Sequence, residues 1–121
     1  MAQILVVDDS STVREAVSTF FTSNGFEVIT ACDGVQGLKT LQSHPEVKLV
    51  ISDVNMPNMD GLTMCERIRS ELKRTSVHLI MLTTESNASM KERGKAAGVK
   101  GWVVKPFKGA AMLEAVKKLV S

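Results

Sequence analysis

Apolar and polar positions along this chain follow two periods. Short oily runs, Ile4-Leu5-Val6-Val7, Leu49-Val50-Ile51-Ser52, Leu79-Ile80-Met81-Leu82 and Trp102-Val103-Val104, read as buried strands, and strand-like segments begin near residues 4, 27, 48, 78 and 101. Each is followed by a segment with helical spacing, so the chain reads as five consecutive strand-helix units. Such alternation predicts an α/β protein whose parallel sheet is covered on both faces. The first helix is predicted from Val13, Ala16, Val17, Phe20 and Phe21, with Thr12-Val-Arg-Glu15 as a capping box and Asn24-Gly25 as its end. A second, from about Gly34, is expected to bury Val35, Leu38 and Leu41 and to stop before His44-Pro45, because the residue preceding proline disfavours helix. A third, after Asp60-Gly61, buries Leu62, Cys65, Ile68 and Leu72. The fourth, from about Asn87 to Ala97, has little apolar area and an internal Gly94, which predicts the most mobile helix. The fifth returns to a strong pattern with Met112, Leu113, Val116, Leu119 and Val120.

Right-handed crossovers restrict how these units wind. A doubly wound sheet in the order 2-1-3-4-5, borrowed by analogy from flavodoxin, sets strands 1 and 3 side by side at the switch point. Polar residues that follow the oily runs, Asp8 and Asp9, Asp53, Thr83 and Lys105, then share the carboxyl edge where open α/β sheets bind ligands.

A length of 121 residues with 44% apolar and 23% charged content fits a single domain over 1–121. No apolar stretch approaches the roughly 20 residues of a membrane span, and Met1-Ala2-Gln3 leads into a strand without a signal segment, so the expected compartment is the cytoplasm. Cys32 and Cys65 lack metal-type spacing and are expected to be free thiols packing as small apolar groups. The net charge of +2 hides an uneven split: residues 90 to 121 hold eight Lys or Arg against Glu92 and Glu114. That stretch is either a solvated face or a docking surface for an acidic partner. Nucleic acid is disfavoured, because an aromatic content of 4% supplies few stacking platforms.

Three carboxylates packed together repel one another unless they hold a proton or recruit a cation. Hard oxygen ligands favour Mg2+, which accepts a few carboxylates and leaves positions for phosphate oxygens. Beside Lys105 such an ion makes a pocket for a phosphoryl group, and Thr83 offers a hydroxyl donor.

These residues resemble those of response-regulator receiver domains, especially the single-domain, CheY-like chemotaxis regulators. The resemblance covers the whole chain and rests on Asp8-Asp9, on Asp53-Val-Asn55-Met56-Pro57-Asn58-Met59-Asp60-Gly61, on Thr83-Thr84-Glu85 and on Lys105-Pro106-Phe107. It implies a flavodoxin-like, CheY-like (βα)5 fold with a cis peptide at Lys105-Pro106. It further implies that Asp53 is the phosphoacceptor, that Asp9, Asp53 and the backbone carbonyl of Asn55 bind Mg2+, and that Asp8 acts mostly through a bound water. Lys105 would pair with the carboxylate and then with the phosphoryl oxygens, and Thr83 would move to bond the phosphoryl group. The same resemblance couples Thr83 to the aromatic position on the fifth strand, here Trp102, where tyrosine or phenylalanine is more usual. An indole needs more room to turn inward and a partner for its N–H. Asn55 and Glu85 fall at the positions that influence loss of the phosphoryl group, which implies a short-lived acyl phosphate.

The implied protein is a monomer, phosphorylated by a separate histidine kinase, and catalyses only its own phosphorylation and dephosphorylation. As a chemotaxis regulator it would bind a flagellar motor-switch protein through the fourth helix, fifth strand and fifth helix, with a phosphatase as a further partner. As a phosphorelay intermediate it would pass the group to a histidine phosphotransfer protein, mainly through the first helix. A Mg2+-dependent aspartyl phosphatase would normally place a second aspartate two residues after its nucleophile, where this chain has Asn55. A flavin carrier would need a neutral, donor-rich loop where Asp8-Asp9 stands. Taken singly, Asp8-Asp9 could also cap the first helix, and Thr83-Thr84 the fourth. Asp60-Gly61 reads as a turn and helix start, and His44 and His78 as surface or strand-end residues.

Overall fold

The computed structural model describes residues 3–120; Met1, Ala2 and Ser121, which belong to the expected 1–121 domain, lie outside that range. Strands and helices alternate as β1 (Ile4–Val7), α1 (Ser11–Ser23), β2 (Val28–Ala31), α2 (Gly34–Ser43), β3 (Leu49–Ser52), α3 (Gly61–Ser70), β4 (His78–Thr83), α4 (Ala88–Ala96), β5 (Val99–Val104) and α5 (Gly109–Val120). The strands form one sheet in the order β2-β1-β3-β4-β5, and every pair is parallel. β5 begins earlier than its oily run suggested, because Val99 pairs with Leu79 ahead of a register irregularity between Leu79 and Ile80.

Side chains of successive strand residues point to opposite faces, so the sheet builds two separate cores. Leu5, Val7, Val50, Leu79 and Met81 face Leu41, Met64 and Ile68, whereas Ile4, Val6, Ile51, Ile80 and Leu82 face Val17, Phe21, Met112 and Val116. The central strands β1 and β3 are buried at every position, as two-sided cover requires.

Several local expectations are corrected. The first helix is capped by Ser10, whose hydroxyl accepts from the Val13 N–H, so Thr12 and Glu15 lie inside α1 and form no capping box there. Asn24 ends it and Gly25 follows with a φ of 91°, the left-handed turn that glycine tolerates. Val35 stands 37% exposed, because α2 turns Gly34 and Gly37 inward instead; a Cβ on Gly37 would sit 2.6 Å from the Met64 sulfur. Leu72 lies past the end of α3 and is partly buried against the core. Cys65 is a buried free thiol, but Cys32 is exposed. In α4 only Gly94 is buried, and a Cβ there would come within 3.2 Å of the Trp102 ring. Polar ties hold this helix: Arg93 bonds both carboxylate oxygens of Glu66 and the Thr63 hydroxyl on α3.

Candidate functional site

Val7 lies opposite Ser52 in register, so the residues after them, Asp8 and Asp53, leave the sheet side by side. The Asp53 N–H continues the ladder to the Val7 carbonyl at 3.0 Å. One carboxylate oxygen each from Asp8, Asp9 and Asp53 lies within 4.8 Å of the other two. Asp8 and Asp53 are buried while Asp9 is exposed. The last strand brings the cation: Lys105 follows Val104, and its Nζ stands 3.0 Å from Asp8 Oδ2 and 2.9 Å from Asp53 Oδ2.

The other oxygens are held by backbone amides. Asp53 Oδ1 accepts from the Val54 N–H at 2.7 Å, and Asp8 Oδ1 accepts from the Ser10 N–H at 2.9 Å. Neither Asp8 nor Asp9 caps a helix, since Ser10 performs that task. Burial pushes the Asp8 carboxyl above its ordinary range, helped by the Asp53 charge and opposed by the Ser10 amide and Lys105. Burial pulls the Lys105 ammonium down most strongly, yet the bonds and charges of Asp53 and Asp8 together outweigh it, and its pKa is raised. The pair thus favours the charged lysine more than the charged Asp8, which is the more deeply buried partner.

Thr83 closes β4 fully buried, and its hydroxyl accepts from the Glu85 N–H at 3.2 Å. The helix that follows is capped by Asn87, not by Thr83 or Thr84. Asn55 donates its side-chain amide to Glu85 Oε1 at 2.7 Å, tying the loop after β3 to the loop after β4. Trp102 is partly buried and gives its indole N–H to the Glu85 carbonyl at 2.8 Å. The edge therefore gathers Asp8, Asp9, Asp53 and Lys105, with Thr83, Asn55, Glu85 and Trp102 joined through Glu85. Lys105-Pro106 is cis. Asp60 caps α3 through the Thr63 N–H, the helix start expected there. His44 ends α2 beside Glu46, and His78 opens β4.

Sequence reading missed two contributors. Arg14 donates to the Asp8 carbonyl at 2.6 Å, and Ser52, buried, donates its hydroxyl to the Asp53 carbonyl at 2.8 Å. Ser52 had a signal, a hydroxyl closing an otherwise apolar strand; Arg14, one turn into an amphipathic helix, had none. Gly61 presses on the same place, for a Cβ there would lie 1.9 Å from the Asp53 carbonyl oxygen.

The donor set offers only oxygen, all within one small span and next to one ammonium, which fits a hard divalent ion such as Mg2+. The described helices include none long and apolar enough to cross a membrane.

Residues 4–117 match the family model described as the response regulator receiver domain. The chain belongs to that family. Among curated relatives, the receiver domain is 37% identical over 106 residues to the chemotaxis protein CheY1 of Helicobacter pylori, covering 87% of this chain and 86% of that protein. It is 35% identical over 119 residues to a chemotaxis protein CheY homolog of Campylobacter jejuni, covering 98% and 92%. Among solved structures, the receiver domain superposes on Vibrio cholerae chemotaxis protein CheY4 with a TM-score of 0.89 and 39% identity, over 98% of each chain. The CheX-CheY-BeF3-Mg2+ complex of Borrelia burgdorferi gives a TM-score of 0.89 at 30% identity, over 99% of this chain and 90% of that one.

Proposed function

We propose that this receiver domain is a cytoplasmic chemotaxis regulator, switched on when Asp53 accepts a phosphoryl group from a phosphohistidine on a separate kinase. The observation that carries this reading is the meeting of the Asp8, Asp9 and Asp53 carboxylates within 4.8 Å beside the Lys105 ammonium. Asp9, Asp53 and the backbone carbonyl of Asn55 would hold Mg2+, with Asp8 acting through a bound water; the ion supplies positive charge to the phosphoryl oxygens. The Borrelia CheX-CheY-BeF3-Mg2+ complex supports both the ion and a protein partner for this chain.

A carboxylate oxygen of Asp53 attacks phosphorus, the phosphorus–nitrogen bond of the donor breaks, and its electron pair stays on the imidazole nitrogen. The Lys105 ammonium, already beside Asp53, turns to the new phosphoryl oxygens. The Thr83 hydroxyl leaves the Glu85 N–H to donate to the same group, and that loss loosens the loop whose carbonyl holds Trp102. Hydrolysis reverses the state: water attacks phosphorus, the bond to Asp53 breaks, and the carboxylate returns. Asn55 and Glu85, joined across the mouth of the site, set how readily that water enters. The protein thus signals by its own modification and turns over no external ester.

Its target is a flagellar motor-switch protein, with an acidic segment docking on the α4-β5-α5 face, where Lys91, Lys95, Lys100, Lys108 and Lys117 are exposed. The chemotaxis names of the Helicobacter and Campylobacter relatives support this target. A phosphorelay role is the second reading: a mostly apolar cleft of about 490 Å3 beside the site, lined by Val13 and Ala16 of α1 and by Lys105, Pro106 and Phe107, suits a histidine-bearing protein.

Incubation with Mg2+ and acetyl phosphate should add the mass of one phosphoryl group, removable by hydroxylamine and absent in Asp53→Asn. No mass gain, or a gain that survives Asp53→Asn, overturns the proposal. Phosphorylation-dependent binding to a motor-switch peptide supports the first target, and transfer back to a histidine phosphotransfer domain supports the second.

A further inference from the structure

The hydroxyl of Ser52 is buried in a strand otherwise made of leucine, valine and isoleucine. An unpaired hydroxyl in such a place is costly, so its single bond is informative. That bond goes to the carbonyl oxygen of Asp53 at 2.8 Å. The same peptide unit carries the Val54 N–H, which donates to Asp53 Oδ1 at 2.7 Å. A peptide unit is planar, with its C=O and N–H pointing opposite ways, so fixing the carbonyl end also aims the amide end. The flanks are closed as well: Gly61 packs so near that a Cβ would lie 1.9 Å from the Asp53 oxygen and 2.9 Å from Ser52 Oγ, and the Gly61 N–H bonds the Val54 carbonyl at 2.8 Å.

We propose that Ser52 is a positioning residue for phosphoryl transfer: its hydroxyl fixes the peptide plane whose opposite end holds one oxygen of the Asp53 carboxylate. With Oδ1 tied by the amide and Oδ2 beside Lys105, the carboxylate cannot swing about its side-chain bonds. The attacking lone pair is thereby aimed before the donor arrives, which lowers the cost of reaching an in-line geometry. Ser52 touches neither phosphorus nor the carboxylate; it acts through the backbone.

This inference rests on Asp53 being the phosphoacceptor, and its test has an arm that needs no phosphate. In wild-type protein the Val54 amide proton should resonate downfield, and Asp53→Asn should move it upfield. Ser52→Ala should move that proton upfield as well and speed its exchange with solvent. With saturating Mg2+ and acetyl phosphate, Ser52→Ala should be phosphorylated about fivefold more slowly, the loss of roughly one hydrogen bond, with an unchanged half-saturating donor concentration. A Val54 amide indifferent to either substitution overturns the proposal, as does an unchanged rate. A slower rate with an unmoved Val54 amide also overturns it, since that is what a general loss of packing would give. Wild-type protein that takes up no phosphate refutes the functional reading, and the amide arm still decides the positioning role of Ser52.

Discussion

The indole N–H of Trp102 on β5 donates to the backbone carbonyl of Glu85 at 2.8 Å, across a turn that begins at Thr83. The same residue takes the Asn55 amide on its carboxylate and gives its own N–H to Thr83 Oγ1. Glu85 therefore joins the loop after Asp53 to the aromatic position on β5. Trp102→Phe removes the N–H donor together with part of the ring that packs near Gly94, and should destabilise the protein by about 1–3 kcal/mol in urea unfolding. Amide exchange in residues 84–87 should quicken at the same time, and unchanged exchange there would refute the tie.

Lys105→Met strands two buried carboxylates without their cation. Uncompensated charges of like sign then repel more strongly, so an added divalent ion has more repulsion to relieve. Added Mg2+ should raise the thermal midpoint of Lys105→Met more than that of the wild type. An equal or smaller rise would show that the lysine does not share the carboxylates with the ion.

Gly61→Ala forces a Cβ into the Asp53 carbonyl oxygen. Backbone has to move, and a loss of about 1–3 kcal/mol is expected from such overpacking. Urea midpoints measure it, and a neutral substitution would mean that the strand end yields freely.

Asp33 caps α2 and takes bonds from the Gln36 N–H and the Asn58 side chain, which hold its carboxyl below the ordinary value of 3.8. A depressed carboxylate stabilises the fold above the unfolded value and loses that contribution as pH falls through the lower folded one. The stability advantage of wild type over Asp33→Asn should be steady at neutral pH and shrink below about pH 4. A difference that is flat down to pH 2.5 in denaturant titrations, or that grows on acidification, contradicts the assignment.

Burial pushes the Cys65 thiol up to about 12, whereas Cys32 is exposed. Iodoacetamide at neutral pH should add one group to native protein, at Cys32, and two only after unfolding. Rapid double labelling without denaturant would show that the core opens at Cys65.

Strand identity and the meeting of the acidic residues were legible because both follow from period and position. Four short runs dominated by apolar residues have few alternatives, and a parallel sheet forces their ends to one edge. Helix starts were less legible, because several side chains compete for the same orphan amides. Ser10, one residue before α1, took the role assigned to Thr12. The same rule explains Asn87, which lies nearer to the start of α4 than Thr83 or Thr84. Inward glycines defeated the apolar pattern in α2, where close helix packing on Met64 turned Val35 outward. Ser52 and Arg14 serve the site through backbone carbonyls, so no pairing of side-chain types reveals their partners, although the lone hydroxyl closing an apolar strand marks Ser52 as unusual.

The acids come from the first and third strands, and the ammonium that offsets them follows the fifth. A chain emerging from the ribosome therefore carries its whole acidic cluster well before the compensating lysine is made.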